Sequence, residues 1–72
     1  MTNTNELRRR VARSGYKYKA LARKMGICPS TLQRKIENQR EFTVSEMDDL
    51  AELLGLTLRE KVAIFFCKNR VI

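Results

Sequence analysis

The chain has 72 residues, fifteen Lys or Arg against eight Asp or Glu, a net charge of +7 and a sequence pI of about 10.0. A length of this order makes residues 1–72 one small domain, which buries only about 60% of its unfolded surface. The basic excess selects a polyanionic partner, and the longest apolar run, Val62-Ala63-Ile64-Phe65-Phe66-Cys67, falls far short of the roughly 20 residues that span a bilayer.

The apolar spacing predicts helices throughout, with no run of the period-2 alternation that marks a strand. A first helix is expected from near Thr4, where Asn3 and Glu6 have capping-box spacing. Leu7 and Val11 lie one turn apart and face the core, with Ala12 beside them, and Gly15 is a good stop. A second helix runs from about Tyr18 to Met25, with Leu21, Ala22 and Met25 inward, and Gly26 turns the chain. A third begins at Pro29, because proline suits the first helical position. Cys28 is a poor cap for it, and Ser30 with Gln33 offers a competing start. The fourth helix follows "FTVSEM", in which Thr43 and Glu46 form a capping box and Phe42 and Met47 a hydrophobic staple. Val44, Met47, Leu50, Ala51 and Leu54 then recur at helical spacing up to Gly55. Thr57 and Glu60 repeat the box for a fifth helix, where Leu58, Val62, Phe65 and Phe66 fall on one arc. The expected fold is all-α: five helices around one core, to which Ile27, Leu32 and Ile36 also belong.

Charge is unevenly placed. Residues 1–41 hold eleven Lys or Arg against Glu6, Glu37 and Glu41, whereas residues 42–72 hold four against five acids. The basic half contains the third helix. At about 100° per residue, Leu32 and Ile36 define its inner side, and Ser30, Gln33, Arg34 and Glu37 its outer side. A polar helix face commonly meets only water. Here the charge asymmetry and the helix–Gly turn–helix spacing point further, to a helix laid in the major groove of DNA. Arg pairs with guanine O6 and N7, Gln with adenine N6 and N7, and Ser with several groups, so Ser30, Gln33 and Arg34 are the candidate base contacts.

Residues 18–38, "YKALARKMGICPSTLQRKIEN", resemble the helix-turn-helix of the Cro/CI (lambda-repressor-like, XRE) family. The resemblance is carried by Leu21-Ala22, by Met25-Gly26-Ile27 at the turn, and by Ser30-Thr31-Leu32, Arg34 and Ile36-Glu37-Asn38. The later "EFTVSEMDDLAELLGLTLREKVAIFF" is similar to the last two helices of small phage-type members. The resemblance implies a five-helix domain with its helix-turn-helix at about 18–37. It also implies a cytoplasmic transcriptional regulator of the repressor type, binding operator DNA as a homodimer. Pro29 stands where members place a base-reading residue and offers a van der Waals contact. Tyr18 stands where they place a phosphate-contacting residue, and Arg10, Lys19, Thr31, Lys35, Asn38 and Arg40 are the further candidates for phosphates. Lys17 and Cys28 replace common caps, and Gln39 a common glycine.

Off-arc Ile64, with Cys67, Val71 and Ile72 of a tail at 67–72, is the candidate dimer contact. No cofactor is expected: Cys28 and Cys67 cannot complete a four-ligand zinc site, and both are expected to be free thiols. The chain lacks histidine for acid–base chemistry and a Gly-rich phosphate loop, so an enzyme is not expected. The N-terminal segment "MTNTNELRRR" has no apolar h-region, which is the expectation for a cytoplasmic chain. The alternative reading is an antirepressor or co-repressor that acts by binding another regulator protein.

Overall fold

Asn3, Thr43 and Thr57 each accept the backbone N–H of the residue three positions on, at Glu6, Glu46 and Glu60. These contacts set the starts of three of the five helices in a computed structural model that describes residues 2–66. The helices are α1 (Thr4–Ser14), α2 (Tyr18–Met25), α3 (Pro29–Ile36), α4 (Val44–Leu54) and α5 (Leu58–Phe65), with no strand among the described residues. The boxes at Thr43 and Thr57 are complete, because Glu46 and Glu60 reach back to the N–H of the cap residue. The Asn3 box is half made. Its backbone N–H goes to Ile64 O at 2.7 Å, and Glu6 turns to Arg10 and Arg9 instead.

The core gathers Leu7 and Val11 from α1, Leu21 and Ala22 from α2, Leu32 and Ile36 from α3, Leu50 from α4, and Ile64 and Phe65 from α5. Phe42 closes it, meeting Phe65 edge to face at 5.2 Å between ring centroids. Met47 packs against this cluster, of which Phe42 is a member, so both staple residues turn inward. Met25, Ile27 and Leu54 pack against it partly buried.

Six apolar assignments change. Val44, Leu58, Val62 and Phe66, expected inside, are 67%, 75%, 48% and 51% exposed. Ile64 was expected outside but is only 1% exposed. The cause in α5 is a rotation about the helix axis. The Asn3–Ile64 bond and the Phe42–Phe65 contact turn the Ile64/Phe65 edge inward and carry Leu58, Val62 and Phe66 out. Val44 is the first residue of α4, where the turn projects past the core. Ala12 also faces solvent.

Candidate nucleic-acid interface

The approach to α3 is fixed by backbone geometry. Gly26 takes φ +75°, a left-handed conformation open to glycine at little cost. This lets the Gly26 and Ile27 N–H groups donate to Arg23 O and Ala22 O and close α2. Cys28 follows in an extended conformation, and Pro29 opens α3. The Pro29 start therefore wins over the Ser30 start. As expected, Cys28 supplies no side-chain cap, and neither does Lys17 for α2.

The far end of α3 closes in the same way, with asparagine in the glycine role. Asn38 has φ +65°, its N–H donates to Lys35 O at 3.2 Å, and the Gln39 N–H donates to Arg34 O at 2.8 Å. Gln39 in place of the common glycine is thereby accommodated, since Asn38 already makes the turn. The Asn38 amide also ties down the N-terminal segment. It accepts the Thr2 N–H at 3.0 Å and donates to Thr2 O at 2.7 Å and to Thr4 Oγ1 at 3.1 Å. Thr4 Oγ1 in turn donates to Ile36 O at 2.6 Å. On the inner side, Leu32 and Ile36 are fully buried. Lys35 lies beside them and donates to Glu46 Oε1 at 2.6 Å and Glu41 O at 3.2 Å. The helix is thus held at both ends and along one side.

Its other side is open. Pro29, Ser30, Gln33 and Arg34 are exposed and Thr31 is half-buried. Glu37 gathers three donors at the edge of this face: Arg8 Nη2 at 3.0 Å and Gln33 Nε2 at 3.3 Å on one oxygen, and Gln39 Nε2 at 3.4 Å on the other. This pairing offsets a negative charge that would otherwise oppose a phosphate backbone. Arg34 has no carboxylate partner among the described residues, so its guanidinium fork is available.

The candidate phosphate contacts divide into two groups. Lys19 and Arg40 are exposed and carry no ion pair among the described residues, and Tyr18 and Thr31 are half-buried. Arg10, Lys35 and Asn38, also expected at phosphates, have their polar groups engaged within the chain. Arg10 bridges Glu6 at 2.9 Å and Glu60 at 3.0 Å, joining α1 to α5. Lys35 is 8% exposed and paired, and Asn38 clamps Thr2. The Arg10 bridge shapes local titration. Its hydrogen bonds to Glu6 and Glu60 raise the Arg10 pKa further, and the Arg10 hydrogen bond holds Glu6 below the usual carboxylate range. Glu60 is lowered first by the Thr57 N–H and then by Arg10.

The dimer assignment also shifts. Ile64 is buried and offers no surface, while Cys67, Val71 and Ile72 lie outside the described residues. The exposed apolar residues of this region are Leu58 and Val62 on α5 and Phe66 after it, at successive one-turn steps. Sequence reasoning also missed the Lys35–Glu46 pair and the Asn38 clamp. The signal for the first was present, because Lys35 is only about 60° from Leu32 on the helical wheel.

No group of His, Cys, Asp or Glu able to hold a metal ion occurs among the described residues, and no helix there is long and apolar enough to cross a membrane. No curated protein and no solved structure matches the chain. A helix-turn-helix family model matches residues 7–61, from the first core residue of α1 into α5. The chain therefore belongs to the Cro/CI-like (XRE) helix-turn-helix family and is a DNA-binding transcription regulator.

Proposed function

We propose that this regulator is a small cytoplasmic, phage-type repressor that lays α3 in the major groove of an operator. Ser30, Gln33 and Arg34 read base edges, Pro29 lies against an apolar one, and Tyr18, Lys19, Thr31 and Arg40 meet phosphates. The observation that carries the reading is Arg34, exposed and without a carboxylate partner among the described residues, on a helix otherwise pinned on every other side. The phage-type reading draws on the likeness of residues 41–66 to the last helices of small phage regulators.

The protein acts as a homodimer on DNA, through the Leu58, Val62 and Phe66 stripe. Two copies then place their α3 helices on half-sites about 34–36 Å apart, one turn of B-DNA. A mobility-shift assay on the DNA flanking its own gene tests the reading. Arg34→Ala weakens specific binding by about 1–3 kcal/mol and relaxes preference at one base pair. Unchanged binding by Arg34→Ala would remove α3 as the reading element. The second reading, regulation through a partner regulator, draws on the missing side-chain cap at Cys28, which weakens the start of α3 as a reading head. Under it, Arg34→Ala spares DNA affinity and impairs capture of the neighbouring regulator.

A further inference from the structure

We propose that the outer face of α2 is a docking groove for an acidic protein segment with an apolar anchor, distinct from the base-reading face of α3 and sharing with the proposed phosphate contacts only Lys19 at its rim. Lys17, Lys19, Arg23 and Lys24 line an open groove of about 570 Å³, with Tyr16 and Ala20 among its walls and no acidic residue lining it. None of the four cations has an ion-pair partner among the described residues, whereas Arg8, Arg9, Arg10, Lys35 and Lys61 are all paired. The groove follows from the phase of α2. Leu21 and Ala22 are fully buried, which turns Ala20, Arg23 and Lys24 to the opposite side. Ala20 is the small residue between long ones, so it leaves a hollow where they leave a rim. Tyr16 packs against the core and is held in place.

Two features select the occupant. The rim charge requires an anion. The floor is apolar, built from Ala20, the Tyr16 ring and the stems of long cations, which a phosphate backbone has no use for. A peptide with Asp or Glu around a Leu or Phe uses both. The groove contains no residue of α3, because α2 packs against α3 and α4 with its other side. A partner held by Lys17, Arg23 and Lys24 can therefore occupy it while α3 is on DNA and Lys19 meets a phosphate. This inference does not depend on the operator or on the dimer.

The test uses Arg23→Glu/Lys24→Glu and, separately, Ala20→Gln, which fills the floor without changing charge. The probes are a fluorescein-labelled helical peptide of Glu, Leu and Ala and a polyglutamate control, followed by fluorescence anisotropy. The amphipathic peptide should bind more tightly than polyglutamate. The charge reversal should weaken it by about tenfold or more, with a reduced salt dependence. Ala20→Gln should weaken it, and Arg34→Ala should leave it unchanged. Operator affinity of the doubly reversed protein should keep its specificity ratio and its salt slope. Four results would overturn the proposal: no binding of the amphipathic peptide, equal binding of polyglutamate, loss of the DNA salt slope in the charge reversal, or a groove filled by a second copy. In the last case sedimentation would show self-association that the reversal abolishes. Loss of operator binding by Arg34→Ala, with peptide binding intact, separates this proposal from the reading of α3.

Discussion

The pair between Lys35 and Glu46 joins α3 to α4, and the two ends of this pair should respond differently to mutation. The side chains of Lys35 and Glu46 are 10% and 18% exposed, and their charged atoms are 2.6 Å apart. Glu46 has a second task, accepting the Thr43 N–H in the capping box at 2.9 Å. Glu46→Gln preserves that task, since Gln serves a capping box as Glu does. It removes the charge, however, and leaves the Lys35 ammonium in a nearly closed site facing only neutral acceptors, the amide oxygen and the Glu41 carbonyl. The expected loss is about 1.5–3 kcal/mol, the range for a hydrogen bond to a charged group, and below the ~3–5 kcal/mol of a fully buried pair. Lys35→Met removes the cation but keeps an unbranched stem against Leu32 and Ile36. Glu46 then keeps the Thr43 N–H on Oε1, the same oxygen that accepted Lys35. The expected loss is under about 1 kcal/mol.

Urea unfolding followed by far-UV circular dichroism measures both variants, the chain having no tryptophan to report. The double variant should resemble Lys35→Met alone, because without the ammonium the carboxylate has little left to neutralise. A Lys35→Met loss equal to or larger than that of Glu46→Gln would refute the reasoning. The same protein also checks the reassignment of Lys35. If the lysine is structural, the salt slope of DNA binding is unchanged in Lys35→Met. A slope reduced by about one would mean that it reaches a phosphate.

Leu32→Ala, at a fully buried position, should cost about 2–5 kcal/mol and leave a domain of this size largely unfolded by circular dichroism. Cys28→Ser should stabilise α3 by up to ~1 kcal/mol in urea unfolding, because Cys28 already has the extended backbone of a cap but makes no cap bond. Leu58→Ser/Val62→Ser should leave the fold intact and convert the operator complex from two copies to one in sedimentation; a persistent dimer would place the interface elsewhere. Stability should be flat near neutral pH and fall in acid. Glu6, Glu60 and Glu46 are all held below the usual carboxylate value, so the stabilisation is complete above the unfolded pKa, about 4.3, and is lost as pH falls through the folded values. At Glu46 burial raises the pKa, and the Lys35 hydrogen bond and the Thr43 contacts outweigh it. A melting temperature that does not fall in acid would show these contacts to be marginal.

The parts of this fold that could be read in the sequence are those set by local chemistry. Thr43, Thr57, Gly15, Gly26 and Pro29 each act on their own turn, so five helix starts and stops could be placed without knowing what packs where. What could not be read is the rotation of a helix whose apolar residues nearly encircle it. From Leu58 to Phe66, six of nine residues are apolar, and any of several phases would bury some of them. The choice is made by distant groups, the Asn3 N–H on Ile64 O and the Phe42 ring on Phe65, separated in sequence by 61 and 23 positions. The same limit applied to α3, where the outer face was legible but the clamp by Thr2 and Asn38 and the Lys35 pair were not. The excess of apolar residues in α5 then takes on a meaning. One edge suffices for the core, yet Leu58 and Val62 stand exposed one turn apart and Phe66 continues their line. A single buried copy has no use for them, and a second copy packed along that line would. The residues that made the phase of α5 illegible are thus the ones on which the proposed dimer rests.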